Sequence, residues 1–469
     1  MKKKYKSLFK NIGLFSIGSF GSKIISFLLL PLYTAILSTS EYGLVDLINS
    51  TAQLLIPVLL LSIQDATLRF SMDPEYKKED VISTTLKIIS IGTLVLITGI
   101  FIIAFFKIID LSWVYWAFLL FTFLLGALNN CFGLYLKSKD KALTIAISGI
   151  ICTLVTCVSN ILLLVVYKLG INGYIISLTI GLLFQVLFQF FAGKLYKDIH
   201  IKNYNNLSKP MIKYSAPLIF NSVSWWINSA SDRYILTWIA GVAVNGVYSV
   251  AYKIPTILTT FQTIFYNAWS ISAISEFNKD DEDGFIGNNY ISYSFLSIVV
   301  CSVIIAFNLQ ITSFLYSKDF FSAWVCVPLL LVSTVFNGIS QLEGSLFAAV
   351  KNTKDVTKTT LVGAISNTVL NLLLIPILGV LGAAMATLFG YFITWVYRTI
   401  KLQSFIKMKV NWFSHIASLI LLIIQAVLAT LNILYPIQFV IIVLIIVLHR
   451  KYIKSIIFKL FRINKKSKN

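Results

Sequence analysis

From Ile12 onward, apolar runs of about 17–28 residues alternate with short polar turns, and runs of that length cross a bilayer as helices. Fourteen are expected, near 11–37, 44–68, 83–106, 113–136, 143–166, 171–192, 212–238, 245–270, 289–315, 324–349, 359–378, 380–400, 412–434 and 436–457. The run near 359–378 is short and interrupted by Pro376, and the one near 212–238 is unusually polar. The pattern predicts an all-α polytopic membrane protein. Pro31, Pro57, Pro217, Pro255 and Pro328 fall inside runs, where bends are expected.

Composition agrees: 57% of the residues are hydrophobic and 12% charged. Lys and Arg (39) outnumber Asp and Glu (19), a balance that in a soluble chain points to nucleic acid. Here the charges sit between apolar runs, with no continuous basic groove, so no nucleic-acid partner is expected. They cluster on alternate turns: Lys2 to Lys10, Arg69 to Lys78, Lys137 to Lys141, Lys194 to Lys213, Lys351 to Lys358, Arg398 to Lys409 and the tail after His449. The opposite turns hold Lys107, Lys168 and Lys318. This bias places both termini in the cytoplasm. The acidic Glu276–Asp283 loop falls on the same inner side. The basic start resembles a signal-peptide n-region, but the run behind it is too long, so it is read as a retained first span. The tail from Arg450 to Lys468 is either a helix lying on the anionic leaflet or a solvated end.

The longest polar connection, about Gly193 to Pro210, divides the chain into six and eight spans. A weak repeat supports that division. Leu136 to Lys141, Asn160 and Leu169-Gly-Ile-Asn-Gly173 are echoed by Val350 to Asp355, Asn371 and Leu378-Gly-Val-Leu-Gly382. Both copies run in the same direction, which predicts a parallel repeat about an axis along the membrane normal. The expected organisation is an N-terminal lobe (1–193, spans 1–6), a cytoplasmic linker (194–211), a C-terminal lobe (212–402, spans 7–12), and spans 13 and 14 with the tail (403–469).

Charge inside a span is costly and should face a protein-lined cavity. Lys23, Arg233 and Lys253 come from spans 1, 7 and 8. Together they form a candidate cationic site for an anion such as phosphate or pyrophosphate. Gln64, Asn221, Trp225, Trp226, Asn228 and Tyr234 are expected to line the cavity with polar and aromatic groups. Asp65, Arg69, Asp232 and Glu343 are candidates for structural ion pairs or for coupling to H+ or Na+. Asp65 and Arg69 are spaced i,i+4 and Asp232 adjoins Arg233. The bland alternatives are helix–helix hydrogen bonds, snorkelling lysines and interfacial salt bridges. The five cysteines lie in apolar runs and read as small buried hydrophobes, and no metal site or cofactor is expected. With His200, His415 and His449 the only histidines, no catalytic signature is recognisable, which argues against an enzyme.

Gly21-Ser-Lys-Ile-Ile-Ser-Phe-Leu-Leu-Leu-Pro-Leu-Tyr-Thr34, Glu41-Tyr-Gly43 and Arg69-Phe70 resemble the N-terminal signature of Wzx-type polysaccharide flippases of the multidrug/oligosaccharidyl-lipid/polysaccharide exporter (MOP) superfamily. Ser231-Asp-Arg-Tyr-Ile-Leu236 and Gly379-Val-Leu-Gly-Ala383 resemble later segments of that family. The resemblance implies a fold like that of multidrug exporters and the lipid II flippase, with two pseudosymmetric six-helix lobes and two added helices. It implies a bacterial cytoplasmic membrane location and movement of undecaprenyl-pyrophosphate-linked oligosaccharide repeat units to the outer leaflet, for lipopolysaccharide or capsule biosynthesis. Membrane lipids and a polysaccharide polymerase are the further partners it suggests. The alternatives are a lipid II or spore-wall lipid flippase, a cation-coupled multidrug exporter and, more remotely, a membrane polymerase or acyltransferase.

Overall fold

The computed structural model describes residues 23, 27–200, 205–275, 279–282, 284–350 and 352–450. Most of the first span, the Gly21–Ser26 part of the signature except Lys23, and the basic tail from residue 451 lie outside the described residues, as do 276–278 and 283 of the acidic loop. The described chain is helical and forms two compact units, Met1–Gly246 and Val247–Asn469.

Among the described residues, nine helices are long and apolar enough to cross a membrane, or ten if a pair bent by 53° (Lys318–Val325 with Val327–Phe347) counts as one span. Large apolar side chains such as Phe101, Phe184, Ile377 and Phe413 remain exposed on their flanks. In water such faces would associate, whereas in a bilayer they meet acyl chains. The protein is therefore a multi-pass membrane protein.

In the first unit the helices are α1 (Leu30–Ile36), α2 (Thr39–Leu59), α3 (Ile63–Ser71), α4 (Lys78–Phe105), α5 (Trp113–Ser138), α6 (Ala142–Asn160), α7 (Gly170–Ala192), α8 (Asn205–Ser215) and α9 (Ile219–Ala240). Four match the expected spans within a few residues. The span expected at 44–68 is instead broken into α2 and α3, because Leu61 and Ser62 take left-handed backbone angles just after Pro57. Neither residue favours that conformation. The polar seventh span is likewise divided, with Pro217 in a single 3-10 turn between α8 and α9. Pro31 sits at the start of α1, just after a turn at Leu29 that separates it from helical residues 27–28.

The second unit contains α11 (Pro255–Ser275), α12 (Phe285–Ala306), α13 (Asn308–Leu315), α14 (Val327–Ala349), α15 (Thr353–Leu378), α16 (Val380–Gln403), α17 (Trp412–Thr430) and α18 (Ile437–Leu448). The intervening α10 (Val242–Ala251) carries the boundary between units. The eighth expected span breaks at Tyr252–Ile254, where Pro255 disfavours helical geometry in the residue before it. The expected interruption at Pro376 is absent: α15 runs from Thr353 through Pro376 to Leu378. The proline lies in the last turn, so the helix needs to continue only two residues past it.

The two Leu-Gly-x-x-Gly segments have the same local job. Gly170 and Gly379 take positive φ (54° and 56°) at the turns between α6 and α7 and between α15 and α16. Only glycine does so without strain. The second glycine of each segment, Gly173 or Gly382, packs on a backbone carbonyl of the preceding helical turn (Leu163 or Leu374); a Cβ would be crowded at Gly173 and would clash at Gly382.

Several charges placed at helix ends by the sequence also hold those ends together. Lys78 Nζ donates to the Ser138 carbonyl at 2.7 Å and Lys141 Nζ to that of Gly193 at 2.7 Å, so each cation caps a helix C-terminus. Lys139 pairs with Asp198. In the acidic loop, Asp281 accepts from the backbone N–H groups of Ile286 (2.9 Å), Gly287 (2.9 Å) and Lys409 (3.1 Å). That buried carboxylate fixes the start of α12 to the 404–411 connection. Arg398, grouped above with flanking charges, is instead buried in the second unit.

Candidate functional site

The signature Glu41-Tyr-Gly43 begins a polar seam in the first unit. Ser38 caps α2: its hydroxyl accepts from Glu41 N (3.2 Å), while the Glu41 carboxylate accepts from Ser38 N (2.8 Å). This reciprocal pair fixes where the helix starts. One turn on, Gly43 lies against Val242 and Gly246 of α10, with backbones so close that a Cβ on either glycine would clash. Asn245 Nδ2, fully buried, donates to the Gly43 carbonyl at 3.1 Å. Tyr42 faces the other way and stacks on Tyr174 (centroids 6.0 Å), which also packs on Tyr33 (4.7 Å). Buried Asn160 donates to the Tyr33 hydroxyl at 3.0 Å.

Past that crossing, α2 presents Asp46, Leu47, Ser50 and Thr51, spaced i, i+1, i+4 and i+5 and so on one face. The facing stripe of α9 carries Trp226, Arg233 and Tyr234. Arg233 Nε lies 3.3 Å from Asp46 Oδ2, and its Nη1 donates to Ser50 Oγ at 3.2 Å. Trp226 Nε1 donates to the Ser50 carbonyl at 2.8 Å. The Tyr234 hydroxyl is 2.6 Å from Thr51 Oγ1 and donates to the Leu47 carbonyl at 3.3 Å. The Trp226 and Tyr234 rings meet at 5.2 Å. Arg233 and Asp46 are each about four-fifths buried, so both charges are largely desolvated and dependent on their partners.

The residues singled out from the sequence take different places. Arg233, Trp226 and Tyr234 come together in this seam. Asp232 is buried beside them, and its Oδ1 accepts from Arg233 N at 2.9 Å; the Arg233 side chain lies within ion-pair distance of Asp46. Lys23 is exposed. Asn221 and Trp225 are exposed on α9 and Asn228 is half-buried. Gln64 is half-buried at the start of α3. The expected Asp65–Arg69 pair does not form. Asp65 sits in the first turn of α3, where the helix dipole favours an acid, and Arg69 reaches forward to Asp73 at 3.3 Å. Lys253 belongs to the second unit, at the break before Pro255. Asp46, Ser50 and Thr51 were missed as site residues; an acid in an apolar run was the available signal.

Glu343, in the second unit, is fully buried. Its Oε1 accepts from Thr399 Oγ1 (2.6 Å) and the Tyr290 hydroxyl (3.1 Å), and Trp395 Nε1 donates to that hydroxyl at 3.3 Å. Its Oε2 has no hydrogen-bond partner among the described residues. Neighbouring Arg398 is engaged elsewhere, donating to Ser340 O (2.7 Å), Thr359 Oγ1 (3.0 Å), Thr360 Oγ1 (2.7 Å) and Val356 O (3.3 Å). Among the described residues, no three His, Cys, Asp or Glu side chains gather as a metal site.

Residues 8–269 match the family described as Polysaccharide biosynthesis protein. That match contains the whole seam. The probable low-salt glycan biosynthesis flippase Agl15 of Haloferax volcanii is 24% identical over 221 residues, 44% of this chain and 46% of that protein. The uncharacterized membrane protein MJ1068 of Methanocaldococcus jannaschii is 25% identical over 244 residues, 48% of this chain and 47% of that protein. The chain thus spans about half the length of the curated relatives it matches. Among solved structures, the lipid II flippase MurJ in an inward closed conformation superposes with a TM-score of 0.71 at 17% identity, covering 95% of this chain and 99% of that one. An inward-facing MATE transporter of the MOP superfamily gives 0.58 at 12% identity, covering 83% and 100%. These likenesses establish the fold. The chain is a polytopic membrane protein that belongs to the polysaccharide biosynthesis protein family.

Proposed function

We propose that the protein is a flippase that moves undecaprenyl-pyrophosphate-linked oligosaccharide repeat units from the inner to the outer leaflet of the cytoplasmic membrane by alternating access. The observation that carries this reading is Arg233: a largely desolvated guanidinium inside the family-matched segment, paired with Asp46 and near Trp226 and Tyr234. A guanidinium binds phosphate through a planar fork, and aromatic faces suit sugar rings. In this reading fourteen spans form two six-helix lobes with two added helices, both termini are cytoplasmic, and Lys23 and Lys253 act with Arg233 on the pyrophosphate. The polyprenyl tail stays in lipid, and fixed cations replace the water that the headgroup loses. The protein binds and releases its cargo without covalent chemistry. Coupling to H+ or Na+, with Glu343 as the carboxylate that exchanges the ion, belongs to the same proposal.

The test is flipping of a fluorescent pyrophosphate-linked oligosaccharide in proteoliposomes, with K23A, R233A and K253A compared with the parent at equal folded protein. Each variant should slow flipping. Parental rates in all three would end the cationic-site reading. Lipid II run as a second cargo in the same vesicles separates a repeat-unit flippase from a lipid II flippase.

A further inference from the structure

We propose that Asp46 is an internal stand-in for the substrate's phosphate. It holds Arg233 while the site is empty, and an arriving pyrophosphate takes Arg233 from it, which unlocks the α2 seam. This rests on the reading of Arg233 as a substrate-binding cation.

The geometry favours exchange over simple addition. Nε of Arg233 lies within ion-pair distance of Asp46 (3.3 Å) and Nη1 donates to Ser50 (3.2 Å), and both carriers lie on α2. A phosphate that takes the Nε side of the fork bidentately must displace Asp46 from it. The other links across the seam are neutral: Trp226 to the Ser50 carbonyl, Tyr234 to Thr51 and Leu47, and Asn245 to the Gly43 carbonyl. The ion pair is thus a tie that an anion can compete for directly.

The helix released by that exchange has a joint. Pro57 lies within its last turn, and left-handed Leu61 and Ser62 follow immediately. Two strained non-glycine residues next to a proline mark a place where direction changes without unfolding the flanking helices. At the opposite end, the glycine crossing of Gly43 with Gly246 is a close backbone contact with no charge to hold it. Occupancy of Arg233 therefore sets how firmly α2 is held to α9, so the seam reads a headgroup charge and converts it into a helix movement.

The experiment uses the full chain in nanodiscs and geranylgeranyl pyrophosphate as the probe, with geranylgeraniol and inorganic pyrophosphate as controls. Binding is measured for the parent, D46N, R233Q and the double variant. A cysteine at Asn245, in a background whose five cysteines are replaced by alanine, reports opening through its maleimide labelling rate. D46N should bind the probe about tenfold more tightly, R233Q about tenfold more weakly, and the double variant like R233Q. The probe should speed labelling at position 245 severalfold in the parent. D46N should be fast without it, and the alcohol should have no effect. If R233Q weakens binding while D46N leaves both affinity and labelling at parental values, the exchange is refuted and the cationic reading stands. If R233Q binds like the parent, the cationic reading itself falls. A response to inorganic pyrophosphate with none to the lipid form would assign the site to a free anion and overturn the proposal.

Discussion

The two units each place one arginine deep among membrane-spanning helices, and the two arginines are bound in different ways. Arg398 gives its fork to four neutral acceptors, two backbone carbonyls and two threonine hydroxyls, which tie α14, α15 and α16 together. Its charge faces no acid within ion-pair distance among the described residues, and Glu343 nearby is satisfied on Oε1 by hydroxyls instead. Arg233 is tied to a carboxylate and a serine on a helix that ends in a broken, proline-marked joint. A guanidinium spent on backbone carbonyls is a staple, because nothing that diffuses in offers it a better bargain of geometry. One paired with a carboxylate can trade that partner for another anion. Position in a span alone does not distinguish the two roles, whereas the chemistry of the partners does.

The contrast can be broken by mutation, and the largest effect is expected at the staple. Arg398→Ala strands Ser340, Val356, Thr359 and Thr360 and should destabilise the second unit by about 3 kcal/mol or more. Arg398→Lys should recover little, since a single ammonium cannot span those acceptors. Thermal denaturation in detergent would show a large fall for both, and a parental melting curve for R398A would mean that the four bonds are not holding the helices. R233A should instead fold well enough to purify and lose most flipping in proteoliposomes, with R233K intermediate. A smaller effect is expected at the crossing. Gly43→Ala forces a methyl into the α10 backbone and should cost about 1–3 kcal/mol, visible as a lower melting temperature. Smallest is the cap: Ser38→Ala should cost about 1 kcal/mol, because Glu41 keeps only half of the reciprocal pair.

How much of this could be read from the chain depends on how local the cause is. Helices such as Lys78–Phe105 and Gly170–Ala192 follow from uninterrupted apolar runs and lie where expected. The turns at Gly170 and Gly379 follow from glycine chemistry within a few residues. The capping spacing Ser38-x-x-Glu41 is also written locally. Leu61 and Ser62, by contrast, break a run that contains no glycine there, and only tertiary packing forces them left-handed. Asp46, which faces Arg233, lies 187 residues away on another helix, beyond any spacing rule, whereas the adjacent Asp232 is the only acid that spacing brings into view. Arg398 looked like one more flanking cation, because a charge near a span end gives no sign of the acceptors that await it.

The central claim is that the Arg233–Asp46 pair serves cargo rather than fold, and one double variant separates the two. Replacing both members together, Asp46→Leu with Arg233→Met, removes a largely buried ion pair without stranding either charge, a change that is often neutral or stabilising. The measurement is flipping of pyrophosphate-linked oligosaccharide by this variant in proteoliposomes, alongside its melting temperature. The account predicts a melting temperature at or above the parent's with flipping abolished. Flipping at the parental rate by the same folded protein would contradict it and leave the pair as part of the scaffold.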